Sequence, residues 1–390
     1  MYLKCLPAAA LAAGIALPGF ALATNGMIME GYGPVATAMG GAAMAYDNGT
    51  AAMANNPATM GQMTEGSRLD VALGFIGPNV SAPGSFGDSK ADAFYMPAFG
   101  YTNKRGSLSY GIGIYAQGGM GTEYASGDMS QVGVGRVILP LAYNVTDRLS
   151  VGGSVDIVWA GMDIVADLDG NPATKEIDFK DGSDYTGAAK GYGLAMKLGF
   201  TYKVNEQFSL GGVYETAGNL GSLEDGGWKV KGFDMPPIVA VGAAWRPSDK
   251  LLLVADLKDV MWNSSMNTVT ILNNGVVVAP FVQNWDDQIV VSIGAAYKFT
   301  DAVTGRIGYN HADNPIPSQN MNYLWPATVE DHYTFGLGYA FDKASEVNFS
   351  LSYVPEVSQT GTGAAPPAGN GGIQVTHSQT NWQLMYSKKF

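Results

Sequence analysis

The chain has 390 residues and a net charge of −12. Only 14% of it is charged, and it carries 52 glycines and 20 tyrosines. The acidic balance excludes nucleic acid as a partner, because phosphates call for a basic surface, and a single cysteine, Cys5, leaves no disulfide or thiolate metal site to expect. So small a charged fraction suits a barrel that is apolar outside and polar inside better than it suits a soluble enzyme.

Residues 1–23 read as a secretory signal peptide. Lys4 precedes an apolar run from Leu6 to Leu22 that ends on Ala21-Leu22-Ala23. A membrane anchor is the alternative, but the run is short, broken by Pro7 and Pro18, and followed by no stop-transfer charge. Residues 24–66 show no alternation and are rich in Gly, Ala and Met. Pro34 is placed to start a short helix through Val35, Ala38, Met39 and Ala42, which Gly40-Gly41 weakens. The segment is expected to be a plug, or hatch, in a barrel too wide to fill itself; a disordered tail is the alternative.

From residue 67 to 390, apolar and polar residues alternate, the pattern of a strand with two different faces. Leu108, Tyr110, Ile112 and Ile114 oppose Ser107, Ser109, Gly111 and Gly113, and Val347, Phe349, Leu351 and Tyr353 oppose Glu346, Asn348, Ser350 and Ser352. Fourteen strands are expected, starting near Arg68, Asp92, Ser107, Gln131, Arg148, Thr186, Glu206, Lys231, Lys250, Trp285, Ala302, Asp331, Ser345 and His377. Soluble sandwiches alternate too, so the connectors carry more weight. Tight turns such as Thr146-Asp147 and Thr300-Asp301 alternate with long connectors such as Ala217 to Val230 and Ala312 to Glu330. Short turns on one side and long loops on the other are the plan of a bacterial outer-membrane barrel. The last strand sets Trp382, Leu384, Tyr386 and Phe390 on one face. A strand ending on an aromatic resembles the signal that such barrels present to their assembly machinery.

Other signals are weak. His311, His332 and His377 have no metal-ligand spacing, and no nucleophile elbow or phosphate loop appears. Asp167-Leu168-Asp169-Gly170-Asn171 lacks the spacing of a calcium loop and reads as an acidic surface loop, open to bridging with lipopolysaccharide by divalent ions. Gly361 to Gly372 reads as a mobile extracellular loop.

Ala38-Met39-Gly40-Gly41-Ala42-Ala43-Met44-Ala45-Tyr46-Asp47 followed by Asn56-Pro57-Ala58 resembles the hatch of the outer-membrane long-chain fatty acid transporter family (FadL-like). Met235 to Pro247, and Gly305 to Asn310 with Asn314-Pro315-Ile316-Pro317, extend the resemblance over the mature chain. It implies a fourteen-stranded barrel and passive uptake of hydrophobic ligands without cofactor or energy source. It also implies that hatch movement and a kinked strand open a way sideways into the membrane. Gly40, Gly41, Asp47, Asn56, Pro57 and Ala58 are the expected hatch and gating residues, with Asn56-Pro57-Ala58 anchoring the plug to the first strand.

Long-chain fatty acids are the first expected substrate, and Lys258, Lys298 and Arg306, opposite the apolar stripes, are candidates for a carboxylate. Glu215 and Asp256 share that side. The hatch methionines, Met27 and Met29 among them, suit varied apolar ligands or simply fill space, which keeps aromatic hydrocarbons open. A lipid-acting barrel enzyme and a general aqueous porin are the rivals from other classes.

Overall fold

A computed structural model describes residues 25–169, 174–181, 187–364 and 371–390. The leader expected over residues 1–23 lies outside them, as do parts of the Asp167–Asn171 run and of the Gly361–Gly372 stretch. Fourteen long strands form the wall. They are β1 Gly66–Ala82, β2 Phe94–Arg105, β3 Leu108–Glu123, β4 Met129–Asn144, β5 Leu149–Ala166, β6 Ala189–Lys203 and β7 Phe208–Glu215. The second half comprises β8 Ile238–Ser248, β9 Leu251–Val260, β10 Gln288–Lys298, β11 Val303–Ala312, β12 Asp331–Ala340, β13 Ser345–Thr360 and β14 Gln374–Lys389. Each pairs antiparallel with its chain neighbours, and β14 returns to β1, from Arg68↔Lys389 to Ser81↔Thr376, so the barrel is closed.

The alternation places the expected stripes outside. Leu198 is 69% exposed and Tyr192 70%, values that only contact with lipid makes sense of. Tyr95, Tyr214, Tyr333 and Tyr353 ring one end of this apolar band, while Phe299, Phe341 and Phe390 ring the other, the positions of interfacial girdles. The short turns and Phe390 share the periplasmic side.

Two expectations are corrected. The eighth strand begins at Ile238 rather than Lys231, because Trp228–Lys231 belongs to a separate extracellular hairpin with Ser222–Asp225. That hairpin pairs with a second one, Thr268–Asn273 with Val276–Val282, above the membrane. The hatch helix covers only Pro34–Thr37, with Ala38 as its C-cap; just beyond it Gly40 and Gly41, at φ of +69° and +82°, turn the chain in a conformation that side chains resist. Residues 25–63 nonetheless pack inside the barrel as a compact plug. The connector between β11 and β12 also folds inward, and its residues 320–329 are all buried in the extracellular mouth.

Candidate functional site

The hatch is held by the wall one backbone group at a time. Asp256 of β9 accepts hydrogen bonds from the Ala43 and Met44 amides at 2.6 and 3.1 Å, and Asp70 of β1 accepts from the Thr50 amide and hydroxyl, both at 2.8 Å. Asn310 donates to the Gly40 carbonyl and Thr334 accepts from its amide. Gly308 and Gly294 on β11 and β10 make this close approach possible, since a Cβ on either would meet the Met39 backbone.

The Asn56-Pro57-Ala58 motif does not tie the plug to the first strand. Asn56 caps the turn Pro57–Gln62 by accepting from the Ala58 amide, and its amide group donates to the carbonyls of Met44 and of Phe200 on β6. Ser150 on β5 donates to the Ala58 carbonyl. The turn therefore lies against β5 and β6, and the chain crosses the barrel floor before entering β1. Asp47 caps locally, accepting from the Gly49 amide.

Above the hatch body, a charge cluster that the sequence pattern does not reveal runs along the inner wall from β4 to β7. Arg136 on β4 bridges Asp156 (3.0 Å) and Glu215, and Lys197 on β6 bridges the same two carboxylates at 2.9 and 3.1 Å. All four are nearly fully buried, so each charge needs its partners. They sit on four consecutive strands, with Lys197 and Glu215 directly opposite each other, so strand phase shows that they point inward while only the register brings them to one height.

The wall has one weak point. The upper part of β2, Phe94–Ala98, pairs with β1, but its ladder to β3 stops at Phe99↔Ile114. Pro97 lacks the N–H that a ladder needs, and Gln117 is bulged out of the β3–β4 register between Ala116 and Gly118. Such bulges bend a strand away from its partner. The abandoned edge of β3 is taken by the N-terminal arm of the hatch. Met29 donates to the Gln117 carbonyl, Gly119 to the Met27 carbonyl, and the Tyr32 hydroxyl also bonds Gln117. Arg136 in turn grips the Gln117 side chain at 2.5 Å. Pro97 and Gln117-Gly118-Gly119 were the sequence signals for this gap.

Behind the gap lies a cavity of about 30 Å³, lined by Met29, Ala72, Met96, Ala98, Phe99 and Tyr115 among others. That is space for about two waters, too little for a ring.

Of the expected ligand residues, Met27 and Met29 are buried in the arm, Met29 at the cavity. Lys258 is inside, its ammonium 3.4 Å from the Glu30 carbonyl, and Arg306 bonds Asn348 at 3.0 Å. Lys298 is not in the lumen: at the periplasmic rim it pairs with Asp301 (2.9 Å) and holds that turn carboxyl below its ordinary range. Glu215 belongs to the charge cluster and Asp256 to the hatch anchor. His311 sits at the extracellular rim, 38% exposed, against Asp331. Asp167, Asp169 and Glu176 bring their carboxylates together on the extracellular side.

A sequence profile for outer membrane transport proteins, described as "Outer membrane protein transport protein (OMPP1/FadL/TodX)", matches residues 8–384. The chain belongs to this family. As a FadL/TodX-family barrel it is an outer-membrane transporter of hydrophobic substrates. The Pseudomonas putida toluene transporter TodX superimposes with a TM-score of 0.79 at 26% identity, over 93% of this chain and 99% of that one. The Ralstonia pickettii toluene transporter TbuX gives 0.73 and 27% over the same shares. A Pseudomonas aeruginosa FadL homologue gives 0.75 at 16% identity, over 94% and 100%, a likeness of fold. A Chlorobium limicola protein, described as "Uncharacterized protein in phosphoenolpyruvate carboxykinase gene 5'region", is 44% identical over 79 residues, 20% of this chain. The match spans 39% of that relative's length.

Proposed function

We propose that this FadL/TodX-family member passes small neutral aromatic hydrocarbons across the outer membrane by facilitated diffusion. On this reading they enter between the extracellular loops and leave sideways between β2 and β3 when the hatch arm Asn25–Met29 releases the edge of β3. The observation that carries it is the apolar gap. Met29, Ala72, Met96, Ala98, Phe99 and Ala116 make most of its lining, with Asp70 and Gln383 at its edge, and offer a ring dispersion and burial worth about 25 cal/mol per Å² of apolar surface. A sideways exit keeps the solute out of water throughout. The near-complete overlap with two toluene transporters supports the same class.

Long-chain fatty acids, the first expectation from sequence, remain the second reading, favoured by Lys258. Its buried ammonium faces a main-chain carbonyl at 3.4 Å rather than a carboxylate at ion-pair distance among the described residues, which leaves it able to receive one. Proteoliposomes holding the purified protein test the choice. Toluene transfer several-fold above protein-free liposomes, with oleate transfer at background, is expected. Faster oleate transfer that falls on Lys258→Ala, with toluene at background, would overturn the arene reading.

A further inference from the structure

The extracellular mouth is stopped a second time. The sixteen residues from Asn314 to Val329 carry no charge, unusual for a long extracellular loop, and residues 320–329 lie buried inside the rim. Wall side chains bind the inserted backbone. Tyr124 donates to the Tyr323 carbonyl at 2.9 Å, Ser130 to the Leu324 carbonyl at 2.5 Å, and the His377 ring bonds the Pro326 carbonyl at 2.8 Å.

Aromatic contacts do the rest. Tyr323 stacks on Phe86 with centroids 4.2 Å apart, and Trp325 meets Phe281 edge-on at 5.2 Å. Yet the Asn322 amide nitrogen, the Trp325 indole nitrogen and the Thr328 hydroxyl are buried with no hydrogen-bond partner in the protein. Buried indole N–H groups ordinarily find one, and each group left without costs about 1–3 kcal/mol. The insert's backbone is thus tied to the wall by these hydrogen bonds. The Trp325 side chain, however, is held by ring contact alone, which another ring can replace, and polar groups left unpaired beside it regain water when it leaves.

We propose that the loop Asn314–Val329 is a separate extracellular gate, and that the Trp325 ring occupies the place beside Phe281 that a neutral monocyclic arene takes on its way in. The ligand class rests on the arene reading above; the gate does not. An arriving ring takes over the contact with Phe281, Trp325 swings into water, and the way down to the hatch arm at Met27 opens.

A cysteine reporter tests this in intact cells, with Cys5→Ser as background. Ala327→Cys, on the insert and 3% exposed, is treated with a membrane-impermeant maleimide from outside. Labelling is expected to be slow, and at least fivefold faster with toluene present. An equal rate with and without toluene overturns the gate. A second variant tests the place-holder. Trp325→Ala, confirmed as folded by its heat-modifiable migration, should label Ala327→Cys quickly without toluene and keep toluene transfer in proteoliposomes. Loss of transfer or continued slow labelling in that folded variant overturns the role of Trp325. Because labelling is read without transport, faster labelling in a protein that moves no toluene keeps the gate and sinks the transport reading. Toluene transfer with unchanged labelling does the reverse.

Discussion

The hatch and the inserted loop both present backbone carbonyls to side chains of the wall. Ser109, Ser150 and Asn310 serve Met60, Ala58 and Gly40 below, as Tyr124 and Ser130 serve Tyr323 and Leu324 above. Their own polar groups are treated differently. Among the described residues, no buried side-chain polar atom between Gly33 and Met63 lacks a partner, whereas the loop leaves Asn322, Trp325 and Thr328 wanting. The hatch also lies on bare glycine backbone, while the loop meets aromatic rings. A segment that is fully satisfied has nothing to gain by leaving, so the body of the hatch is the stationary stop. The loop above it, and the arm with its unpartnered Asn25 side chain, are the parts built to move.

The strongest way to break this contrast is to force the stationary part out. Gly211 on β7 faces the Met44 carbonyl with no room for a side chain. Gly211→Leu should lift the hatch from β7 and produce open-channel conductance in planar bilayers that the parent lacks; an unchanged trace would mean that the hatch yields easily. Asp256→Ala removes the two hydrogen bonds that the Ala43 and Met44 amides donate, a loss of about 2 kcal/mol, or roughly a thirtyfold rise in hatch release. It would be read as faster maleimide labelling of Ala43→Cys in detergent. Asn56→Ala removes a cap worth about 1 kcal/mol together with the bonds to Met44 and Phe200, so labelling at the same site should rise at least roughly fivefold. Trp325→Phe should act in the opposite sense and least. It sheds the unpartnered N–H, a gain of about 1 kcal/mol that the smaller ring's lost contact partly offsets, so labelling of Ala327→Cys without toluene should slow by roughly two- to threefold.

Local pattern made most of the wall legible. Each two-faced strand announces itself by alternation, and the turn at Thr300-Asp301 or Thr146-Asp147 fixes where it reverses. Strand eight was misplaced because Trp228–Lys231 alternates as well, and only its pairing to the second hairpin shows that it stands above the membrane. The site was less legible because it depends on which distant strands meet. Lys298 has the strand phase of an inner residue, but its height along the strand puts it at the rim. Asn56 could be singled out, but Phe200, 144 positions away, could not be named as its partner. The inserted loop left a trace that was not used: an uncharged stretch holding Met321, Tyr323, Leu324 and Trp325 is poor material for a water-exposed connector.

The seam between β1 and β14 has a consequence for how the molecule comes into being. It joins residues some three hundred positions apart, the kind of long-range pairing that forms slowly. The hatch precedes β1 in the chain, yet several of its anchors, Asp256, Asn310, Thr334 and Gln383, belong to strands made much later. The hatch therefore cannot complete its contacts until the last strands are in place, and the seam closes on the same strands that hold it. Sealing the ring and seating its stopper thus draw on the same late-made strands.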